Sequence, residues 1–320
     1  MARVMVTGAN GHIGSVLVDH LLKENHQVVA VDWMIYGAFP LTPFQDNPGF
    51  ELLQQDLRTL PVSAYRGIDI VVDASGLPNE QTCTVDPALA KEINVQARAR
   101  IARIAKAMGV RRHIALTSAE PPTGKDLYGR CNAQLEQTVL SAAADGFSTT
   151  VLRAGSVYGL SRRMRFDVMA NVVALHAHMG RRVTFPGSAQ TALPFIHVRD
   201  LARAAVSAIA APEAVLSGQV FTVASQIQTL QELLAEASEI FPGKIDYVFS
   251  RPADGQHALD MTVPAFQDAT GFAPRITLDQ GLLEVFIALK GGRTKLGETT
   301  NTAKFYRSLI KKTQEAEARL

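Results

Sequence analysis

A glycine-rich turn near the start of the chain has the residues and the spacing needed to bind a diphosphate. Gly8, Gly11 and Gly14 lie between a short apolar segment, Arg3–Thr7, and a segment with helical periodicity. The first glycine permits a tight turn, the second lets the backbone approach the phosphates, and the third lets the helix pack closely on the strand. The helix N-terminus adds a partial positive charge. The predicted site also includes the intervening residues Asn10, His12 and Ile13.

An acidic residue follows the second predicted strand and bears on the choice of dinucleotide. Asp32 ends the apolar segment Val28–Asp32, a short distance beyond the glycine-rich turn. A carboxylate in this position accepts hydrogen bonds from the ribose hydroxyls and repels a 2′-phosphate. The next two residues, Trp33 and Met34, bring no compensating cation. We therefore predict NAD rather than NADP as the cofactor.

The elements that position these residues alternate between strand and helix. The predicted strands of the first half are Arg3–Thr7, Val28–Asp32, Phe50–Gln54, Ile68–Asp73, His113–Thr117 and Thr149–Arg153. A long helix is predicted over Asp86–Met108, with Pro87 at its start and Gly109 just after its end. This alternation predicts an α/β fold, a doubly wound parallel sheet of the Rossmann type, with a smaller, interwoven α+β substrate-binding cap.

The pattern becomes less regular after residue 159, which suggests a division of the chain. We predict a dinucleotide-binding domain over residues 1–159, with residues 190–226 returning to it. Residues 160–189 and 227–295 form the predicted substrate-binding part, which includes a helix over Arg165–Met179. Residues 296–320 carry an excess of basic side chains and are predicted to form a solvated helical tail.

Several motifs in this order resemble a known family, the extended short-chain dehydrogenases/reductases that modify nucleotide sugars as NAD-dependent epimerases, dehydratases and decarboxylases. The motifs that carry the resemblance are the Gly8–Gly14 turn, Gln55–Leu57, Asn94, Leu152–Gly159, Arg162–Asp167, Pro194–Asp200, Gly271–Pro274 and Leu278–Leu282. They cover most of the chain. The order of motifs is specific for the fold, whereas a shared fold leaves the reaction open.

The resemblance implies further members of the cofactor and substrate sites. On the cofactor side these are Asp56, Leu57, Ala74 and Asn94, with Tyr128 and Asn132 at the nicotinamide end. On the substrate side they are Arg162, Arg163 and Arg165, because guanidinium groups bind phosphates bidentately. The family often has an arginine just before the Pro194–Asp200 motif, and this chain has Leu193 there.

The catalytic residues implied by the resemblance depart from the family's pattern. Ser118 and Tyr128 match its serine and tyrosine, but the lysine expected one turn after the tyrosine is Asn132. That lysine holds the nicotinamide ribose and lowers the pKa of the tyrosine so that phenolate can act as a base. Asparagine can hold the nicotinamide ribose but cannot lower the pKa of the tyrosine. Glu120, two residues after Ser118, lies where some members carry an acid/base carboxyl and is a further catalytic candidate.

Three functions from different classes fit these residues. The first is an NAD-dependent oxidoreductase or isomerase of a sugar or nucleotide-sugar hydroxyl, such as an epimerase, dehydratase or dehydrogenase. The second is a cyclase, isomerase or lyase of a non-sugar metabolite that retains the cofactor. The third is a degenerate protein that senses NAD(H) or binds a partner. The presence of both Ser118 and Tyr128 argues against the third.

Composition limits the partners. The chain has 320 residues, is 47% hydrophobic and carries a net charge of +2, so neither nucleic acid nor a membrane is predicted as a partner. Two distant cysteines and the lack of a recognisable signal segment lead us to expect a cytoplasmic protein. No metal site is predicted from the histidines. The family resemblance implies a homodimer packed through Asp86–Met108 and Gly129–Ala143.

Overall fold

A computed structural model of the chain describes residues 1–119, 126–185, 188–250 and 264–317. Within these ranges the strands are β1 (Arg3–Thr7), β2 (Gln27–Asp32), β3 (Phe50–Gln54), β4 (Ile70–Asp73), β5 (Arg112–Ser118), β6 (Ser148–Ala154), β7 (Ser156–Tyr158), β8 (Val183–Phe185), β9 (Ala192–His197), β10 (Gln219–Val223), β11 (Gln226–Thr229) and β12 (Tyr247–Phe249). The helices are α1 (Gly14–Lys23), α2 (Glu80–Cys83), α3 (Pro87–Lys91), α4 (Arg98–Ala107), α5 (Leu127–Ser141), α6 (Met169–Met179), α7 (Val198–Ala210), α8 (Glu213–Leu216), α9 (Leu230–Ile240), α10 (Pro264–Thr270), α11 (Leu278–Lys290) and α12 (Thr302–Glu317).

Seven strands form the central sheet, in the order β10-β6-β5-β4-β1-β2-β3. Its pairings are parallel; Val4 of β1, for example, lies opposite Val28 of β2 and Ile70 of β4. The inner strands β1 and β4 are buried on both faces, which is why they are continuous apolar runs in the sequence. The predicted doubly wound α/β class is confirmed, and the six strands predicted in the first half are all present.

Helices cover both faces of this sheet. On one face Leu17 of α1 and Leu201 of α7 are fully buried in a core shared with β1 and β4. On the other face Ile101 of α4 packs with Met5 and Tyr65, which are also fully buried. Burying each large apolar side chain contributes about 1.5–3 kcal/mol, so both layers stabilise the sheet.

The long helix predicted over Asp86–Met108 is present in three parts. Asp86 caps α3 by accepting hydrogen bonds from the backbone of Ala88 and Leu89, both at 3.0 Å. A π-helical segment, Glu92–Ala97, then joins α3 to α4. Gly109, with a φ of +76°, follows the end of α4, as the sequence predicts. The π segment had no signal in the apolar periodicity.

The cap contains two small sheets and its own core. Strands β11, β9 and β7 form one sheet, and β8 pairs with β12. Apolar side chains of α6, α9 and α11 pack together beneath them. Within residues 190–226, β9 belongs to the small sheet, whereas β10 joins β6 at the edge of the central sheet. The domain limits remain predictions.

Two expectations for the second half were wrong. Helix α6 begins at Met169 rather than Arg165, because the Arg165 side chain bonds Asp167 and its carbonyl accepts from Asn171, both at 2.9 Å. The basic tail is helical but not solvated along its whole length. Thr302 and Tyr306 of α12 are buried against the rest of the protein.

Within the described ranges, no helix has both the length and the apolar composition needed to cross a membrane.

Candidate active site

The glycine-rich turn connects β1 to α1 with little room for side chains. Gly8 has a φ of +69°, and a Cβ there would lie 2.7 Å from the carbonyl oxygen of Ala74. A Cβ on Gly14 would overlap the carbonyl oxygen of Gly8. The backbone of Gly11 donates to that same oxygen at 3.1 Å. Close backbone approach therefore excludes a side chain at Gly8 and at Gly14, whereas Gly11 is held by its backbone hydrogen bond to Gly8.

Asp32 and Asn10 join the turn to the end of β2. The Asp32 carboxylate accepts hydrogen bonds from the backbone of Asn10 at 3.0 Å and of Met34 at 2.8 Å. Burial raises the pKa of Asp32, and these two N–H groups oppose the rise. The side-chain nitrogen of Asn10 donates to the carbonyl of Gly37 at 2.7 Å. Asp32 is thus held facing the turn, where a ribose would lie.

His12 connects the turn to a segment far along the chain. Its Nδ1 lies 3.1 Å from the carbonyl oxygen of Arg163, and its own carbonyl accepts from the Ser161 hydroxyl at 2.9 Å. Burial lowers the pKa of His12 to about 3, so the ring is neutral. Among the described residues its Nε2 has no hydrogen-bond partner, nor has Oδ1 of Asn10. These buried polar atoms fit a polar ligand at the turn, such as a dinucleotide.

The adenosine end contains a cation that the sequence argument overlooked. The guanidinium of Arg58 lies 5.4 Å from the centre of the Trp33 ring. Trp33 is the residue that follows Asp32 in the sequence. It is paired with Asp56 at 2.6 Å and with Glu92 at 3.1 Å. Arg58 is therefore neutralised by two carboxylates and is poorly suited to bind a 2′-phosphate. The Asp56 carboxylate, predicted to contact adenine, is already bonded by Arg58.

The loop after β4 is fixed by buried polar side chains. Asn94 donates to the carbonyl of Leu77 at 3.0 Å and accepts from its backbone nitrogen at 2.7 Å, which gives this predicted cofactor residue a role in holding the loop. Below it, Asp73 and Arg98 form an ion pair at 2.7 Å with both side chains almost fully buried. The Thr7 hydroxyl at the end of β1 donates to Asp73 at 2.7 Å. The sequence analysis missed this pair.

Ser118 and Tyr128 are placed by β5 and by the start of α5. Ser118 is the last residue of β5, and Tyr128 is the second residue of α5. Asn132 follows Tyr128 by one helical turn and is buried. Glu120 lies outside the described residues.

An ion pair between the buried Glu136 and the partly exposed Arg153 joins the elements that carry Ser118 and Tyr128. Glu136 of α5 accepts a hydrogen bond from the Thr117 hydroxyl at 2.6 Å and three from Arg153 of β6, two from Nε and one from Nη2. Because β5, α5 and β6 each contribute a side chain to these contacts, the contacts fix the position of α5 relative to the end of β5. This support is a second feature that the sequence analysis did not identify.

Two carboxylates accept backbone hydrogen bonds at the beginning of α5. The Glu80 carboxylate accepts from the backbone of Tyr128 at 2.7 Å, and Asp126 accepts from that of Gly129 at 2.6 Å. Burial raises the pKa of the Cys83 thiol to about 12 and also raises that of Cys131, which disfavours the thiolate form of both.

Of the three arginines predicted to bind substrate phosphate, Arg162 and Arg163 line one cleft, whereas Arg165 is not among its lining residues. Arg162 is exposed, and Arg165 pairs with buried Asp167 at 2.9 Å. Arg163 is buried, stacks on the Tyr36 ring at 4.0 Å and donates to the Thr302 hydroxyl of α12 at 2.9 Å.

Helix α12 also forms part of the dinucleotide pocket. Its Tyr306 lines a cavity of about 110 Å³ whose other walls are Gly8, Gly11, Asp32, Trp33, Ile35, Tyr36, Asp56, Leu57, Ala74, Ser75, Gly76 and Ile93. Small-molecule sites usually have volumes of about 300–1,000 Å³. Ser118, Tyr128 and Asn132 are not among the described residues that line this cavity, so it matches only the turn and ribose end of a dinucleotide site. Nothing in the sequence of the tail indicated this position.

The motifs of the second half that carried the family resemblance pack against one another. Tyr158 contacts His197 edge to face, with ring centres 5.3 Å apart. A Cβ on Gly281 would overlap Tyr158, so this glycine allows α11 to approach. Asp200 accepts from the backbone of Arg275 and Ile276, both at 2.8 Å. These motifs hold the cap on the sheet.

A glycine-rich turn, a carboxylate bonded to that turn and a seven-stranded parallel sheet define a dinucleotide-binding α/β protein. The chain belongs to the NAD dependent epimerase/dehydratase family, whose model matches residues 4–224. This confirms the family resemblance, and membership of an NAD dependent family confirms the predicted cofactor.

Individual relatives are distant. UDP-glucuronic acid decarboxylase 1 of Danio rerio is 24% identical over 262 residues, which are 74% of this chain and 62% of the relative, so the match spans less than two thirds of that protein. The dTDP-6-deoxy-L-talose 4-dehydrogenase (NAD(P)(+)) of Kitasatospora kifunensis is 29% identical over 315 residues, 90% of this chain and 95% of the relative. Among solved structures, UDP-glucuronic acid 4-epimerase from Bacillus cereus, in complex with UDP-glucuronic acid and NAD, superposes with a TM-score of 0.80 at 18% identity, covering 90% of this chain and 99% of that one.

Proposed function

We propose that this protein is an NAD-dependent enzyme that acts on a hydroxyl-bearing carbon of a sugar nucleotide, with Ser118 and Tyr128 at the reacting hydroxyl. The observation that carries the proposal is the placement of three features at one edge of the sheet. The glycine-rich turn follows β1, Ser118 ends β5, and Tyr128 begins α5, while β4 separates β1 from β5. Ligands of doubly wound sheets bind at this carboxyl edge.

The side chains have distinct tasks in the proposed reaction. Bound NAD supplies a hydride acceptor for the substrate carbon. Ser118 holds the substrate hydroxyl by a hydrogen bond, and Oη of Tyr128 receives its proton. Asn132, one turn after Tyr128, hydrogen-bonds the ribose at the nicotinamide end. The Glu136–Arg153 pair, together with the Thr117 hydroxyl, holds α5 against β5 and β6 and so fixes the positions of Tyr128 and Ser118 relative to each other.

The relatives favour a nucleotide sugar as substrate, because the two named above act on UDP- or dTDP-linked sugars. The test is a mass-spectrometric search for NAD retained by the purified protein, followed by thermal-shift assays with NAD, NADH and a panel of nucleotide sugars. Stabilisation by several degrees with one nucleotide sugar, on top of NAD, is the expected result. Binding of NAD with no response to any sugar would contradict the substrate class.

One observation favours a second candidate, a non-redox or altered acid/base reaction on a different metabolite. A tyrosine has an ordinary pKa of about 10 and at that value is rarely ionised at neutral pH. Here Asn132 replaces the expected lysine, and the carboxylates of Glu80 and Asp126 lie at the start of α5. This arrangement suits Tyr128 as a proton donor. Substrate turnover without transient NADH absorbance at 340 nm would support it.

We also propose a homodimer packed through the helices of residues 87–107 and through α5. A monomer mass in light scattering at micromolar concentration would contradict this assembly.

A further inference from the structure

A second and larger cleft lies outside the dinucleotide pocket. It has a volume of about 860 Å³, within the range of small-molecule sites. Its walls are the outer surface of α1, the loop of residues 36–44, residues 160–164, and the stretch of residues 292–300 that leads into α12. Ser118, Tyr128 and Asn132 are not among the described residues that line it. Tyr36 is among the lining residues of both cavities.

The charge of this cleft is strongly positive. Its described walls carry six cationic side chains and two carboxylates, namely Lys23, Arg162, Arg163, Arg199, Arg293 and Lys295 against Asp19 and Glu284. Two of the cations are neutralised locally, because Lys23 pairs with Asp19 and Arg199 with Glu284. The other four have no carboxylate within ion-pair distance among the described residues. The cleft therefore favours an anion.

Arg163 is the decisive member of this group. Its side chain is 5% exposed, it stacks on Tyr36, and it donates one hydrogen bond, to the hydroxyl of Thr302. Its buried Nε has no hydrogen-bond partner in the described part of the chain. Burial lowers the pKa of Arg163, as expected for a desolvated cation. Burying a cation without a counter-ion is energetically unfavourable, so an anion bound at Arg163 would offset that desolvation.

Aromatic side chains form the remaining wall of the cleft. Phe39 is 66% exposed although it lies beside Pro40 and Phe44 in a concave surface. An exposed aromatic ring beside a cationic cleft provides a face on which a planar base can stack, an interaction of about 1–3 kcal/mol per base. Since Phe39 and the arginines line one cleft, a single ligand can contact both.

We propose that this cleft binds a nucleoside diphosphate, with the phosphates at Arg163 and Arg162 and the base on Phe39. Arg293 and Lys295 on the rim add to the attraction of the phosphates. The site is separate from the dinucleotide pocket and from the residues of the proposed reaction. For a sugar nucleotide as ligand the inference rests on the proposed function, whereas binding of a free nucleotide is independent of it. A free nucleotide and the nucleotide half of a sugar nucleotide both carry this base and these phosphates, so either can be the source of the ligand.

The test is calorimetric titration of ADP into the protein saturated with NADH, with NADH fluorescence followed in parallel. We expect one ADP per chain to bind without loss of NADH fluorescence. Pyrophosphate alone should bind about tenfold more weakly, and adenosine alone should give no measurable binding. Titration with UDP and with UDP-glucose separates the two sources of the ligand. Absence of ADP binding at saturating NADH, or displacement of NADH one for one, would overturn the proposal.

Variants assign the contacts. Arg163→Met keeps the stacked stem but removes the charge, and should raise the Kd of ADP at least tenfold. Phe39→Ala should weaken ADP several-fold and leave pyrophosphate unchanged. Arg182→Gln, an exposed arginine paired with Asp246 outside the cleft, is the matched control and should change neither. If Arg163→Met does not fold, the Arg162→Gln/Arg293→Gln variant tests the same phosphate contacts. An unchanged ADP Kd in the folded charge variants would refute the site.

Discussion

The backbone nitrogen of Asn10 donates a hydrogen bond to the carboxylate of Asp32 at 3.0 Å, so the glycine-rich turn and the residue predicted to bind ribose form one unit. Asp32→Ala removes both the ribose acceptor and this support. We expect the Kd for NADH to rise about 10- to 100-fold, since each charge-assisted hydrogen bond contributes about 1.5–3 kcal/mol. Fluorescence titration of NADH measures it. Asp19→Asn, on the outer surface of α1, is the control, and equal affinities for the two variants would contradict the assignment.

The Asp73–Arg98 pair beneath the turn should contribute strongly to stability. Burial raises the pKa of Asp73, but Arg98 and the surrounding hydrogen bonds outweigh it and hold this pKa below its usual value, so the carboxylate stays charged. Arg98→Met leaves that charge buried and should lower the free energy of unfolding by about 3–5 kcal/mol in urea denaturation. Lys23→Gln, which breaks an exposed pair with Asp19, should cost no more than about 1 kcal/mol. Similar losses in both variants would disprove the argument.

Stability should fall with acidity, in part through His113. Both ring nitrogens of this buried residue have no hydrogen-bond partner among the described residues, and burial lowers its pKa to about 4. An unfolded histidine has a pKa of about 6.5, so between these values the unfolded chain binds more protons and the native state loses stability as the pH falls. At pH 5 the loss from His113 is about 2 kcal/mol.

His113→Phe removes this titration. The drop in unfolding free energy between pH 7 and pH 5 should then be smaller by about 2 kcal/mol than in the unchanged protein. His178→Asn, an exposed histidine of α6, should retain the full drop. The idea fails if His113→Phe shows the same pH dependence as this control.

Tyr306 should control entry to the dinucleotide pocket. Because its ring lines a cavity of about 110 Å³, Tyr306→Ala should enlarge the cavity and increase the association rate of NADH several-fold in stopped-flow fluorescence. Phe305→Ala is the matched control, because Phe305 stacks on Tyr36 at 5.1 Å from the same helix without lining the cavity. A slower association in Tyr306→Ala would mean that the ring forms a necessary wall of the site.

Asn132→Lys tests the most unusual feature of the catalytic group. A lysine one turn after Tyr128 would favour the phenolate by its charge. If the protein oxidises a hydroxyl through Tyr128, turnover should rise and its pH profile should shift to lower pH. A loss of turnover with an unchanged profile would instead indicate that Asn132 suits another reaction.

The elements that could be predicted from the sequence are those defined by a regular pattern among neighbouring residues. β1, β3 and the turn between β1 and α1 were predictable because apolar runs and glycine spacing are set by neighbouring residues. The Arg58 ion pairs, the Glu136–Arg153 support and the position of Tyr306 were not, since each depends on side chains brought together from distant parts of the chain. The same limit applies to Arg162 and Arg163, which are adjacent in sequence but differ in burial.

The docking of α12 bears on the order in which the protein is made. Residues 302–306 pack against the loop after β2, so the first and last parts of the fold depend on each other. During synthesis from the N-terminus, the glycine-rich turn exists long before Tyr306 leaves the ribosome. The nascent sheet therefore offers a dinucleotide pocket not yet covered by Tyr306, and a cofactor bound at that stage is covered when α12 docks.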